Sequence, residues 1–272
     1  MEKIYKSKKK FACITLDFEK DYGDRLGEFN ILTNKKELTE LNEFLQKLQI
    51  PLSLFITTNV LEKYPSSFEI VKSIGSDFHS HSHTHNTKNP DSIFEIEESK
   101  KVFSKYFNKH PLGYRAPQGV LKNGDIEELH KKGYKFSSSL FPSFRPGKYN
   151  NLFSPINPII YSNGFIEIPF SVIKKIRYTF SLSYIKLLGF QVTRLLVKIF
   201  GLPNIVVFDS HLHDFITNKK SFHSLPLHIK FAYSIRRDKG EQYLLNVVKL
   251  LKSMGYEFLT ITELYEEINS NL

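Results

Sequence analysis

The 272-residue chain has no tryptophan, two methionines and one cysteine, Cys13. A lone cysteine excludes an intramolecular disulfide and any zinc site built on thiolates, and it fits a reducing compartment. No window approaches the ~18 uninterrupted apolar residues that a membrane span requires. The basic start MEKIYKSKKKFACITLDF has an apolar run that Asp17 cuts short, so it does not read as a signal peptide. These absences lead us to expect a soluble, cytoplasmic protein, with contact at the inner face of a membrane as the one variation. No glycine-rich dinucleotide fingerprint follows the first strand-like run, and there is no phosphate loop, which argues against a nucleotide-binding fold. With no helix-turn-helix, zinc-finger or RNP-like pattern, no nucleic-acid partner is expected. Without internal repeats or an interdomain linker, the expectation is one domain over residues 11–268, preceded by a basic tail at 1–10.

The composition supports a substantial core. Apolar residues make up 41% of the chain, with 24 Phe and 14 Tyr, and the 24% of charged residues is near the globular average. Lys and Arg number 38 against 28 Asp and Glu, a net charge of +10. That excess suits an anionic partner such as a membrane surface or a phosphate-bearing or acidic glycan, although a solvated lysine-rich surface accounts for it equally well.

Strand-like and helix-like segments alternate along the sequence. FACITLDF (11–18), PLSLFITT (51–58), SDFHSH (76–81), LGYRAP (112–117) and YKFSSS (134–139) read as strands, as do GFIEIPFS and the apolar part of NIVVFDSHLHD further on. Between them lie amphipathic patterns: a helix capped at Thr33 or Asn34, one opening at Pro90 and Asp91, and others closed by Gly75 and Gly133. Residues 141–163 are proline-bearing and read as a long loop. SYIKLLGFQVTRLLVKIFG (183–201) reads as a helix, apolar on one side and basic on the other, and the whole stretch 141–203 has the look of an insertion. Such alternation implies parallel pairing with right-handed crossovers, in a barrel or a doubly wound sheet.

In folds of this kind, sites gather at the carboxyl ends of strands. Asp17 and Glu19 end the first strand, a histidine cluster the third, Arg115 the fourth, Ser137 to Ser139 the fifth, and His211, His213 and Asp214 the NIVVFDS strand. The histidines alternate at 79, 81, 83 and 85. Strand neighbours two apart are separated by roughly 6.6 Å and those four apart by roughly 13 Å, so a straight strand cannot gather all four on one ion. A helical turn beginning near His81 brings His81 to His85, and one beginning earlier brings His79 to His83. Spacing leaves both pairs open. Asp17 and Glu19 share a strand face and offer an oxygen ligand. One carboxylate and two imidazoles suit zinc or a similar divalent ion with a position left for water.

Taken in order, these motifs resemble the polysaccharide deacetylase family (NodB-like, carbohydrate esterase family 4). TLDFEKD resembles the family's acidic first motif, HSHTH its His-[Ser/Thr]-x-x-His, YRAPQG its Arg-x-Pro, GYKFSSSLFP the region that is often Asp-Ser-Ser, and SHLHD its histidine-bearing last motif. The resemblance covers essentially everything after residue 10. It implies an α/β fold, a distorted (β/α) barrel of about seven parallel strands. Asp77, four residues before His81, matches an acidic position usual in the family and favours His81 and His85 as ligands. The sequence departs from the pattern at Phe18, where a second aspartate is usual, so Glu19 becomes the expected carboxylate ligand, with Asp21 as the fallback. Ser137 stands where an aspartate is often found.

The resemblance also implies the activity: a metal-dependent hydrolase that removes an N-acetyl or other N-acyl group from an amino sugar of a polysaccharide or lipid-linked precursor. The ion would be zinc, with cobalt, nickel or manganese as alternatives. Asp17 is the expected general base, Arg115 its orienting partner and His213 the general acid, an imidazole whose ordinary titration lies near neutrality. Pro117, Ser138 and His211 are expected substrate contacts, and His79 and His83 are expected to be supporting or solvent-facing residues. Two other readings stand beside it. One is a different carbon–nitrogen hydrolase on the same scaffold, deformylase or allantoinase-like. The other is a non-catalytic relative that binds glycan or membrane. The basic, apolar segment 174–198 is the expected place for contact with anionic lipid, if it does not simply pack as a helix.

Overall fold

Along the FACITLDF run every second residue points the same way, and this alternation divides the chain's interior in two. In the computed structural model, which describes residues 2–23, 26–86, 92–122 and 124–272, the strands in chain order are β1 (Lys3–Ile4), β2 (Phe11–Phe18), β3 (Leu52–Ile56), β4 (Asp77–Ser80), β5 (Gly113–Tyr114), β6 (Phe136–Ser137), β7 (Phe144–Arg145), β8 (Tyr149–Asn150), β9 (Ile159–Ile160), β10 (Ile166–Glu167), β11 (Val172–Ile173), β12 (Tyr178–Thr179), β13 (Ile205–His211) and β14 (Glu257–Phe258). Ala12, Ile14, Leu16 and Phe18 face an outer layer of helices, whereas Phe11 and Cys13 face an inner core. Continuing that inner face, Thr15, Asp17 and Glu19 are buried and polar. The inner face is thus apolar at the start of β2 and acidic at its end.

The main sheet runs β1-β9-β10-β6-β5-β4-β3-β2-β13, with β14 also on β2. From β10 through β13 seven strands pair in parallel, in agreement with the expected α/β architecture of about seven. β14 adds a short parallel pairing at the start of β2, and β9 and β1 extend the other end antiparallel. Among the described residues no strand ladder joins β10 to β13. Ser171, just past β10, links them: its N–H donates to Val207 O (3.1 Å) and its Oγ accepts from Val207 N (2.8 Å).

Helices cover the outer face as the sequence periodicity predicts. Helix Lys35–Lys47 buries Leu38, Leu41 and Leu45, and the Asn34 side chain caps it by accepting from Glu37 N. The helix Ser92–Phe107 is present, while its expected opening at Pro90 and Asp91 lies outside the described residues. The C-terminal helix Ile261–Ser270 inserts Ile261, Leu264 and Ile268 into the inner core.

Three expectations change. Residues 141–163 are not a plain loop, because β7 and β8 form an antiparallel pair within them and β9 joins the sheet. The segment 183–201 is two helices, Leu182–Leu188 and Phe190–Phe200, broken at Gly189, whose φ of +93° suits glycine alone. Lys3 and Ile4, within the stretch read as a basic tail, pair with Ile160 and Ile159.

The turn after β13 is held by a close backbone approach. An added Cβ on Gly240, at the start of helix Gly240–Ser253, would lie 2.1 Å from the Asp214 carbonyl oxygen. Gly240→Ala should therefore cost roughly 1–3 kcal/mol in urea unfolding, since two backbones must separate; an unchanged midpoint would show that the approach is not tight.

Candidate active site

Arg115 lies one residue past β5 and is 1% exposed. A buried guanidinium needs both its donors and its charge satisfied. Its Nη1 donates to Asp17 Oδ1 in a close contact, to Asp209 Oδ1 (3.2 Å) and to Thr15 Oγ1 (3.0 Å). Its Nε donates to the Ser138 carbonyl (3.1 Å), and its Nη2 reaches Ser138 Oγ (3.4 Å). The rings of Phe55 and Phe170 lie 3.7 and 4.4 Å from its central carbon. β2, β13, β3 and the segments following β6 and β10 therefore converge on one cation.

Two carboxylates against one guanidinium leave excess negative charge. Burial, and next the neighbouring Asp17, push the Asp209 carboxyl up to about 7. Asp209 was not singled out in the sequence, although it lies two residues before His211 on one strand and so shares its face.

Glu19 meets both expected histidines. His85 Nε2 is 2.9 Å and His81 Nε2 3.6 Å from Glu19 Oε2, and the two imidazole rings are 4.8 Å apart. Burial works to raise the Glu19 carboxyl, but the His85 and His81 imidazoles outweigh it and hold it well below the usual range. His81 Nδ1 is 3.0 Å from the Arg115 carbonyl, which can only accept, so Nδ1 carries a proton.

The expected helical turn between the two histidines is not what joins them. Ser82 and His85 have φ of +60° and +57°, and the loop folds back through left-handed conformations that cost non-glycine residues energy. Its brace is Glu95, from helix Ser92–Phe107, whose carboxylate accepts from His83 N (2.8 Å), Thr84 N (2.7 Å) and the Thr84 hydroxyl. Periodicity marks Glu95 only as a helical residue, which is why its role was not legible.

The remaining expectations divide. His79 is not solvent-facing: it is buried against Phe55 and Phe136, with Nε2 2.8 Å from Asp77 Oδ2. Burial works to raise the Asp77 carboxyl, yet His79 and bonds from Ser53 and Thr262 bring it to about 2. Asp77 thus serves His79 below the site. His83 turns to Thr58 Oγ1 (3.0 Å), so the His79/His83 frame diverges. Asp21 is not gathered with the two histidines: its carboxylate accepts from Asn30 N, Ile31 N and Ser221 Oγ. Ser138, expected to touch substrate, is fully buried and holds Arg115 instead. Pro117 faces a smaller adjoining cavity, while Gln118 and Gly119 line the main cleft.

His211 and His213 both line the cleft, with rings stacked at 4.8 Å. His211 Nε2 lies 3.8 Å from Asp17 Oδ2 and 3.7 Å from Asp209 Oδ2, and a quarter of its side chain (25%) is exposed. Burial works to lower its pKa, but Asp209, Asp214, Glu19 and Asp17 raise it well above the ordinary histidine value. His213 is buried against Tyr22 (4.9 Å) and Tyr233 (5.1 Å). Burial, and then its neighbour His211, bring it down to about 3. Asp214 accepts from His211 N (3.0 Å) and Ser183 Oγ (2.8 Å), so it both caps the turn and steadies His211.

Residues 6–137 match the polysaccharide deacetylase family. No curated protein matches the chain in sequence. Among solved structures, a Mycobacterium smegmatis protein provisionally named a polysaccharide deacetylase superposes with a TM-score of 0.61 at 12% identity, covering 99% of this chain and 96% of that one. A peptidoglycan N-acetylglucosamine deacetylase gives 0.53 at 14% identity, over 94% and 88%. A CE4 family pseudoenzyme from Bacillus anthracis gives 0.55 at 12% identity, over 95% and 66%. At these identities the likeness shows the fold alone, an α/β fold with a mostly parallel central sheet.

The polysaccharide deacetylases generally use a divalent metal, and the residues here fit one. Donor atoms of Glu19, His81 and His85 lie within 4.8 Å of one another, all three residues are buried, and His85 Nδ1 has no hydrogen-bond partner. Zinc at ~100 times its dissociation constant should raise unfolding free energy by about 2.7 kcal/mol, and Glu19→Gln should remove that gain. Glu95→Ala should weaken zinc binding by ~10–100-fold in a competition titration through the loosened loop, as losses behind the ligands do. Equal affinity would dismiss the brace.

The Asp209 carboxyl generates a pH prediction. Because its folded pKa is raised, its contribution to stability is full below the unfolded value near 4 and is lost as pH rises through about 7. The stability of Asp209→Asn relative to the parent, measured in chelator, should shift in the variant's favour from pH 5 to pH 8. A shift in the opposite sense would reverse the assignment.

Proposed function

We propose that the chain hydrolyses an N-acyl group, N-acetyl foremost, from an amino sugar of a glycan or lipid-linked precursor, with a divalent ion held by Glu19, His81 and His85. The observation that carries this is the placement of Asp17. One of its oxygens takes the Arg115 guanidinium, and the other lies 3.5 Å from His81 Nε2 at the floor of the cleft. When bound, the ion acidifies water and polarises the amide carbonyl. Asp17 accepts the proton of the attacking water, and Arg115, itself fixed by Ser138 and two aromatic rings, keeps that carboxylate oriented.

The proton for the departing amine comes from His211. The resemblance points to His213, but that imidazole is enclosed by Tyr22 and Tyr233 and is brought down to about 3 by burial and by His211. His211 opens to the cleft beside Asp17 and is held protonated by its carboxylate neighbours. His213 supports it by stacking from behind. Tyr149, Tyr184 and Tyr233 line the cleft and suit contact with a sugar ring.

The test is release of acetate or formate from a panel of amino-sugar conjugates. Asp17→Asn should keep zinc and lose ~10²–10⁴ in kcat, and His211→Ala should lose a comparable factor while His213→Gln loses much less. A larger loss in His213→Gln would return the acid role to that residue. Formate without acetate would identify a deformylase-type hydrolase on this scaffold. The non-catalytic reading also has support, in Phe18 at the usual place of a second aspartate and in the fold shared with a pseudoenzyme. Zinc binding without any acyl release across the panel would favour it.

A further inference from the structure

We propose that the helices Phe190–Phe200 and Leu227–Ser234 form a docking surface for an anionic lipid bilayer at the mouth of the cleft. The first argument is the distribution of charge. Residues 174–208 contain six Lys and Arg, of which Lys186 is buried against Asp214, and no Asp or Glu, and residues 215–237 contain five and none. The remainder of the chain holds 27 Lys and Arg against 28 Asp and Glu, so the whole +10 excess resides in these two segments.

The second argument is apolar exposure within those same segments. Helix Phe190–Phe200 buries Thr193 and Val197 and leaves Leu195 and Ile199, one turn apart on the opposite side, 55% and 59% exposed. Helix Leu227–Ser234 leaves Leu227 and Phe231 83% and 70% exposed. Arg194 and Lys198 flank the first pair and are exposed as well. Large apolar side chains set among cations, with no carboxylate nearby in sequence, suit insertion at a headgroup boundary. No described helix is long and apolar enough to cross a membrane, so the contact is interfacial.

The third argument is position. Helix Leu182–Leu188 leads into Phe190–Phe200 through Gly189 and packs on Leu227–Ser234. Arg236 ties the two regions by donating to the Lys186 and Leu187 carbonyls (3.0 and 2.9 Å). Leu187 of helix Leu182–Leu188 and Ile229, Ala232 and Tyr233 of helix Leu227–Ser234 line the cleft itself. Docking through this surface brings the cleft to the headgroup layer. Taken with the deacylase reading, on which this last step rests, it selects a lipid-linked amino sugar over a polymer free in solution.

The experiment is flotation of the full chain with vesicles of phosphatidylcholine alone or mixed with phosphatidylglycerol, at low and high salt. The expected result is capture by the anionic vesicles only, weakened by salt and reduced on the order of tenfold in both L195E/I199E and F231E. These positions are exposed, and circular dichroism checks that the variants fold. No capture by anionic vesicles overturns the proposal. So does capture that the apolar substitutions leave unchanged, or equal binding of heparin that competes for it, because either makes the surface a polyanion site. Flotation is read without turnover, so binding with no acyl release preserves the docking surface and refutes the deacylase reading instead.

Discussion

The arrangement of the site depends on one buried cation. Arg115 is nearly without solvent, so its charge and donors must be met by the protein. Asp17, Asp209, Thr15 and Ser138 meet them from β2, β13 and the turn after β6, and Phe55 and Phe170 close its faces. The same residue's carbonyl holds a proton on His81 Nδ1. One arginine thereby sets the orientation of the proposed base and the proton placement of a proposed ligand. Its loss would leave two buried carboxylates facing each other.

Around that cation the charges are graded. Glu19 is held ionised by two imidazoles, Asp209 is pushed towards neutrality by its neighbour Asp17, His211 is held protonated and His213 neutral. Groups of one chemical type separate in behaviour because burial acts on all of them while the nearest charge differs. Such separation of paired groups is what acid and base roles at one pH require. Away from the site the balance changes again: residues 174–208 carry cations and exposed aliphatic side chains and no carboxylate.

Much of this was legible in the residues themselves. Two-residue alternation in FACITLDF placed Asp17 and Glu19 on one face, and it also explains Phe18, whose ring points outward to Phe68 and so leaves the cleft to Glu19. The parallel α/β order, the strand-end location of the site and the pairing of His81 with His85 follow from periodicity, from the motif order and from the family it resembles. These are short-range properties, set by how a backbone repeats.

What the tertiary structure alone decided were relations between distant segments. Glu95 bracing the histidine loop, Asp209 sharing Arg115, and Ser138 serving the arginine rather than a substrate all join residues more than ten positions apart. Spacing also could not rank His211 against His213, which share a motif and differ only in what surrounds them, open cleft for one and buried tyrosines for the other. Local pattern determines which way a side chain leaves its strand. Burial and partner charge, which determine what that side chain can do, exist only once the strands have come together.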